Sequence, residues 1–128
     1  MILEYSANLD TAELALPALF AKLHEAAVNT GIFPLAGLRS RAIRCEDFRV
    51  ADGNPDFAFA HLTVRLGTGR AIGERRLAAE QFFTILGDHL QPEYERRGLA
   101  ISLEMQELHA ELKFNRNNLR DHLAVGTL

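Results

Sequence analysis

The chain has 128 residues, a length that fits one domain over residues 1–128 with its own hydrophobic core and is too short for two. Hydrophobic residues make up 48 % and charged residues 24 %, values that are ordinary for a soluble globular protein. The formal net charge of −3, from 14 basic and 17 acidic residues, argues against a nucleic-acid-binding protein, because such proteins usually carry a basic surplus.

Cysteine content and hydropathy indicate where the protein works. Cys45 is the single cysteine, so the chain can form no internal disulfide, which suits a reducing cytosol. No apolar run approaches the roughly 20 residues that span a bilayer. The N-terminus also lacks the basic and then apolar pattern of a signal peptide. We therefore expect a cytoplasmic protein without a membrane partner.

The first half of the chain predicts a strand, a helix and a second strand. Residues 1–6 are typical of a short strand and residues 8–11 of a turn. A helix is expected to start near Pro17, because proline is favourable in a first helical turn. It should end at Gly31, which can adopt the left-handed conformation of a helix cap. Its predicted buried face consists of Leu16, Phe20, Leu23 and Ala27. A strand is expected over residues 38–45.

The second half begins after a turn at residues 51–55. Residues 57–66 alternate between two sets of side chains and form the clearest predicted strand. One face holds Ala58, Ala60, Leu62, Val64 and Leu66, and the other holds Phe57, Phe59, His61, Thr63 and Arg65.

A glycine-rich loop at residues 67–73 then leads into a second helix, which Pro92 is expected to kink or end. The predicted core face of that helix consists of Ala78, Phe82, Ile85 and Leu86, with His89 at its end. Residues 99–107 predict the last strand, with Leu99, Ile101, Leu103 and Met105 on one face. The polar tail at residues 114–123 predicts a short helix.

The order β-α-β-β-α-β predicts an α+β fold. Each helix joins two strands, which favours a right-handed parallel crossover, so we expect a four-stranded sheet with both helices on one face. The opposite face would stay uncovered, and Phe57 and Phe59 belong to it. Because a monomer rarely leaves such apolar surface in water, we expect subunits to pack through this face in a symmetric homo-oligomer.

The segment from Gly31 to Arg41 carries the strongest functional signal. It combines a helix stop, a tight turn and two arginines just before a strand. A guanidinium matches a carboxylate with two parallel hydrogen bonds, so Arg39 and Arg41 are candidates for binding a small anion. The alternative is that both are solvated charges at a strand end. Arg70 is a second candidate, because it lies where a helix begins and helix N-termini attract anions.

Other chemical signals are weaker. The glycine-rich loop lacks the pattern of a nucleotide-binding site, and the five histidines do not have the spacing of metal ligands. His24 and His89 are interpreted as structural residues, and His61 as a subunit contact or a group with a chemical role. Cys45 has no activating neighbour in sequence and is interpreted as buried and inert.

Five blocks of the chain carry a resemblance to a known family. They are Gly-Ile-Phe-Pro-Leu-Ala-Gly-Leu-Arg-Ser-Arg at 31–41, Ala-Asp-Gly at 51–53, Gly-Thr-Gly-Arg at 67–70, Glu-Leu-His at 107–109 and Phe-Asn-Arg-Asn-Asn at 114–118. In these blocks the chain resembles the 5-carboxymethyl-2-hydroxymuconate isomerases of the tautomerase superfamily, from about Ile2 to Leu123. The resemblance implies the fold predicted above, assembled as a homotrimer whose interior is lined by the sheets.

The resemblance also implies a reaction. Members of the family act in the bacterial breakdown of homoprotocatechuate, on the route from 4-hydroxyphenylacetate. They isomerise 5-carboxymethyl-2-hydroxymuconate to 5-oxopent-3-ene-1,2,5-tricarboxylate without a cofactor or metal. By position, the two substrate-binding arginines of the family correspond to Arg39 and Arg70, whereas Arg41 is interpreted as a solvated or subunit-contact residue. The general base is a proline that becomes the N-terminal residue, and its amine stays partly neutral near pH 7 in an apolar, positively charged site.

The start of this chain departs from the family pattern. Members typically begin with Met, Pro, His and two or three apolar residues before a Glu, whereas here Met1, Ile2 and Leu3 lead directly to Glu4. The proline would lie about two positions before Met1. Three explanations are open: a start codon assigned too far downstream, which we favour, a deliberate truncation, or a divergent member that has lost the base.

Two alternatives to this isomerase follow. One is a tautomerase that acts on a related unsaturated 2-oxo or 2-hydroxy acid. The other is a non-catalytic trimer that binds a small polycarboxylate. All of these hypotheses expect a small carboxylate as the partner, and none requires nucleic acid.

Overall fold

The computed structural model of the chain describes residues 1–124 and has the predicted order of strands and helices. The strands are β1 (Ile2–Ser6), β2 (Arg41–Cys45), β3 (Ala58–Leu66) and β4 (Leu99–Glu107). The helices are α1 (Thr11–Leu14), α2 (Leu16–Asn29), α3 (Ile72–His89) and α4 (Gln91–Arg96), with short 3₁₀ turns at Leu35–Gly37 and Leu119–His122. No helix within residues 1–124 has the length and apolar character that a membrane crossing requires.

The four strands form one mixed sheet in the order β2-β1-β3-β4. β1 is parallel to β2, and β3 is parallel to β4, which confirms the two predicted β-α-β units. The two units meet where β1 pairs with β3 in the antiparallel direction. Ile2 therefore lies between Arg41 on one side and Thr63 on the other, so the start of β1 is next to the end of β3.

α2 and α3 pack on one face of this sheet and close the core. Leu3 and Tyr5 of β1 and the alternate residues Ala58 to Leu66 of β3 are buried against them, as the strand pattern predicted. The fully buried helix residues are Leu19, Leu23, Ala27, Ala78, Phe82 and Leu86. Leu19 was not predicted, because the face of α2 is rotated so that Leu16 and Phe20 lie at its margin and are only partly buried.

Proline and glycine set the ends of the helices where the sequence predicted. Pro17 lies in the first turn of α2, and Gly31 just after it has a φ of +80°, the left-handed region that glycine favours. α3 ends at His89, and Pro92 lies in the first turn of the separate helix α4. The predicted turn at residues 8–11 differs in part, because Asp10 caps the short helix α1 by accepting hydrogen bonds from two of its backbone N–H groups.

The second predicted strand begins later than expected, at Arg41 instead of residue 38. The Leu38 N–H donates to the Leu35 carbonyl in a 3₁₀ turn, so this part of the chain is not available for the sheet ladder. Arg39 consequently belongs to the connection between that turn and the edge strand β2, and its carbonyl accepts a hydrogen bond of 2.8 Å from the Met1 amine.

The face of the sheet opposite the helices is open, but it is more polar than the sequence analysis expected. Phe57 precedes β3, and its ring packs at Gly98, where an added Cβ would lie 2.5 Å from the ring. Phe59 remains on this face beside Phe48, at a ring separation of 6.2 Å. His61 bonds to Ser102 at 2.6 Å and to Glu104 at 3.0 Å.

Cys45 does not fit its prediction as a buried residue. It is only partly buried, because it ends β2, which is an edge strand of the sheet.

Candidate active site

A cavity of about 410 Å³ opens at the edge of the sheet where β1 and β2 begin and β3 and β4 end. Its walls come from the Ile32–Arg39 connection, the loop after β3 and the segment that follows β4. Its lining comprises Met1, Ile2, Ile32, Phe33, Pro34, Gly37, Leu38, Arg39, Arg41, Thr63, Val64, Arg65, Leu66, Gly67, Arg70, Leu108, Lys113 and Asn115. A cavity of this size suits a small organic molecule.

Both arginines that the sequence analysis nominated for the site line this cavity. Arg39 is exposed and is positioned by the hydrogen bond of its carbonyl with the Met1 amine. Arg70 is half-buried, and its Nη1 donates to the Gly67 carbonyl at 3.3 Å. Residues far apart in sequence are thus brought to one place by the pairing of β1 with β2 and with β3.

Arg75 holds the loop that carries Arg70. Arg75 Nε donates to the Arg70 carbonyl at 3.2 Å, and Arg75 Nη1 pairs with Glu107 Oε1 at 2.9 Å. Because Glu107 ends β4, this bridge ties the start of α3 to the end of the last strand. The loop between β3 and α3 is therefore anchored on both sides of the cavity.

The structure adds three cations that the sequence analysis did not assign to the site. Arg41, interpreted as a solvated or subunit-contact residue, lies in the lining beside Ile2. Arg65 lies near the end of β3, and Lys113 belongs to the irregular segment after β4. Arg65 could have been proposed as a site residue, because it lies near the end of the clearest predicted strand. Lys113 carried no local signal, because an irregular segment has no periodicity that predicts direction.

The cavity is strongly positive although the whole chain has a net charge of −3. Its lining contains five cationic side chains and no aspartate or glutamate within residues 1–124. None of the five makes an ion pair with a described carboxylate. By contrast, the arginines at positions 44, 75, 76, 96 and 97 each pair with a glutamate. Unpaired cations around a concave site attract an anionic ligand and raise its local concentration.

The α-amine of Met1 also lies among these cations. Burial lowers its pKa from the usual value of 8.0, and the charges of Arg41, Arg39 and Arg65 lower it further. A lowered pKa means that a larger share of the amine is neutral near pH 7, so its lone pair can accept a proton. The site thus combines anion-binding groups with a group that can act as a base.

The histidines have structural contacts. His24 forms a hydrogen bond of 2.6 Å with Ser40, the residue between Arg39 and Arg41. Burial lowers the pKa of His24, and the charge of the N-terminal amine lowers it further. His89 contacts the Leu14 carbonyl at 2.6 Å, which agrees with its predicted structural role. Within the described residues, no group of three His, Cys, Asp or Glu side chains could hold a metal ion.

Comparisons with known proteins identify relatives of the chain. A family model described as 5-carboxymethyl-2-hydroxymuconate isomerase matches residues 1–123. The chain is 42 % identical over 118 residues to the 5-carboxymethyl-2-hydroxymuconate Delta-isomerase of Escherichia coli, covering 92 % of this chain and 93 % of that protein.

Solved structures show the same relationship. The crystal structure of a 5-carboxymethyl-2-hydroxymuconate isomerase from Deinococcus radiodurans R1 has a TM-score of 0.89 at 33 % identity, covering 94 % of this chain and 90 % of that one. A second crystal structure, of a 5-carboxymethyl-2-hydroxymuconate delta-isomerase, shares the fold with a TM-score of 0.86 at 24 % identity. The match covers 99 % of this chain and 93 % of that one. The chain therefore belongs to the 5-carboxymethyl-2-hydroxymuconate isomerase family, as its sequence blocks predicted.

Proposed function

We propose that the chain isomerises 5-carboxymethyl-2-hydroxymuconate to 5-oxopent-3-ene-1,2,5-tricarboxylate in homoprotocatechuate breakdown, without a cofactor. The observation that carries this proposal is the cavity in which five cations, none paired with a carboxylate of residues 1–124, share the lining with an N-terminal amine of lowered pKa. A trianionic substrate needs the cations, and an internal proton transfer needs an amine that can accept a proton. Family membership supplies the reaction that combines them.

The proposed reaction moves one proton within the substrate. A neutral N-terminal amine accepts the proton of the 2-hydroxyl group, and that oxygen becomes a carbonyl as the two double bonds shift along the chain. The same amine then donates the proton to C5. The product keeps one carbon–carbon double bond, between C3 and C4. Because no atom is gained or lost, the amine ends in its starting state and can act again.

The arginines would stabilise the charges on this path. Arg39 and Arg70 are proposed to bind substrate carboxylates through charge-assisted hydrogen bonds. Negative charge also develops on the 2-oxygen as its proton leaves, and cations placed before the reaction stabilise that charge without reorganisation. Burial and the charges of Arg41, Arg39 and Arg65 lower the pKa of the amine, so Arg39 would serve both substrate binding and proton transfer.

Two other functions remain as alternatives. A tautomerase acting on a related unsaturated 2-hydroxy acid would use the same amine and arginines. A non-catalytic polycarboxylate-binding protein would use only the cations. The N-terminal residue distinguishes either enzyme from the binding protein, because only an enzyme depends on the basicity of the group in the cavity.

We also propose that the protein is a cytoplasmic homotrimer of one-domain subunits. The sheet face opposite the helices has no covering element within residues 1–124, and Ile43 on β2 is 47 % exposed there. Burial of this face between copies of the chain would remove that apolar surface from water. The partly exposed thiol of Cys45 suits a reducing compartment.

An added N-terminal proline tests the proposed base. A form that carries Met-Pro-His before Met1, from which the initiator methionine is removed, should isomerise the substrate about 10²–10⁴-fold faster than the chain beginning at Met1, because a positioned base contributes that much. A spectrophotometric assay of dienol loss measures the rates, and a Met-Ala-His form with a primary amine is the matched control. Equal rates for all three forms would contradict the role of the base.

The pH dependence tests the electrostatics around Met1. For the chain beginning at Met1, kcat/KM should rise with pH and level off with a midpoint below 8.0, because the neutral amine is the active form and its pKa is lowered. Arg41→Gln removes one of the charges that lower this pKa, so its midpoint should move upward. An unchanged midpoint in that variant would show that Arg41 does not act on the amine.

Arg39→Ala should weaken substrate binding more than it harms folding. Arg39 is exposed, so thermal unfolding should change little. Loss of its charge-assisted hydrogen bonds, worth about 1.5–3 kcal/mol, should raise KM by roughly 10-fold to 100-fold. Arg76→Ala on the exposed side of α3 is the control and should leave KM unchanged. An unfolded Arg39→Ala protein would indicate a structural role instead.

Light scattering tests the oligomer. At micromolar concentration the protein should have three times the chain mass of 14.3 kDa. Ile43→Glu on the open face should shift it to monomer, because a buried charge without a partner is costly. Leu77→Glu is the matched control, since Leu77 is 63 % exposed on a helix away from that face. A monomeric parent protein would refute the trimer.

A further inference from the structure

We propose that Lys113 is a substrate-binding residue and that, with Arg70, it forms a two-cation end of the cavity that binds two neighbouring carboxylates. This inference rests on the proposed function and deepens it, because it states how a tricarboxylate is distinguished from a dicarboxylate. Lys113 belongs to the segment after β4. Neither the sequence blocks nor the comparisons indicate a role for this lysine.

The segment that carries Lys113 is anchored at both ends of the cavity mouth. At one end, Leu108 N–H donates to the Leu66 carbonyl at 2.8 Å, which continues the pairing of β4 with β3. At the other end, the Asn117 side-chain amide donates to the Ala36 carbonyl at 2.7 Å, in the 3₁₀ turn that precedes Arg39. The chain between these bonds crosses the opening, so Leu108, Lys113 and Asn115 contribute to the lining.

Lys113 and Arg70 meet beside Gly67. A Cβ built on Gly67 would lie 3.3 Å from Lys113 Nζ and 3.4 Å from Arg70 Nη1, so both cationic groups border one small space that exists because residue 67 has no side chain. Neither cation pairs with a carboxylate of residues 1–124, and two like charges at such range repel each other. An anion beside both groups is attracted to each of them, and this attraction offsets the repulsion between the two cations.

The substrate has a matching distribution of charge. Its C5 atom bears one carboxylate directly and a second through the carboxymethyl group, whereas its other end bears a single carboxylate at C1. The cations of the cavity also fall into two groups. Arg39, Arg41 and Arg65 lie around the Met1 amine. Arg70 and Lys113 both border the space at Gly67. We therefore assign the C1 carboxylate to Arg39 and the two carboxylates at C5 to Arg70 and Lys113.

Equilibrium binding tests this assignment without requiring turnover. The probes are pentane-1,2,5-tricarboxylate and pentane-1,5-dicarboxylate, which differ by one carboxylate, and the measurement is isothermal titration calorimetry. The parent protein should bind the tricarboxylate about tenfold more tightly or better, as expected for one charge-assisted contact. Lys113→Gln should lose most of that preference while its affinity for the dicarboxylate changes less than about twofold. Lys113→Arg should restore the preference.

Two further variants separate charge from position. Arg116→Gln removes the same charge from the same segment, and its exposed side chain lies outside the lining, so its preference should equal that of the parent. Gly67→Ala changes no charge but adds a Cβ 3.3 Å from Lys113 Nζ and 3.4 Å from Arg70 Nη1, so both cations must shift slightly and the preference should fall less than in Lys113→Gln. In the proline-extended form, Lys113→Gln should raise KM for the tricarboxylate about tenfold with kcat changed less than about threefold.

The outcomes separate the two proposals. A parent protein that neither binds the tricarboxylate nor isomerises the substrate would refute both the proposed function and the role of Lys113. A parent protein that does both, with Lys113→Gln indistinguishable from Arg116→Gln, would refute only the role of Lys113.

Discussion

The register of β1 between its two neighbours is the constraint on which the site depends. β1 is parallel to β2 and antiparallel to β3, so the start of β1 meets the start of one neighbour and the end of the other. This arrangement brings Met1, Arg41 and Arg65 to one edge of the sheet. A shift of one residue would turn the buried side chains Leu3 and Tyr5 away from the helices, so the same hydrophobic burial that stabilises the core also fixes the geometry of the cavity.

The cavity shows how a folded chain can maintain an arrangement that is unfavourable by itself. Five cations face one another without a carboxylate from residues 1–124, while arginines elsewhere on the surface are paired. Backbone contacts hold two of these positions: the Arg39 carbonyl bonds to the Met1 amine, and the Arg70 carbonyl bonds to Arg75. Core packing and these hydrogen bonds offset the repulsion, and an anionic ligand relieves it. Local electrostatic conflict of this kind is typical of functional sites.

Much of the fold was predictable because its signals are local. The strand at Leu99–Glu107 was predicted to the residue, since its alternation is continuous, and the ends of α2 and α3 followed from proline and glycine. The errors occurred where tertiary contacts decide. β2 begins only at Arg41 because the preceding residues form a 3₁₀ turn. Cys45 is partly exposed because its strand is at the edge of the sheet.

The sequence alone determined the fold class, the family and two of the cations, Arg39 and Arg70, because periodicity and contiguous blocks are properties of neighbouring residues. Only the tertiary structure showed that these two arginines share a cavity with Arg41, Arg65, Lys113 and the Met1 amine. The physical reason is that strand pairing joins the first residue of the chain to residues 39–41 and 63–65, and two long-range hydrogen bonds lay residues 108–117 across the opening. Such contacts leave no pattern in the local sequence.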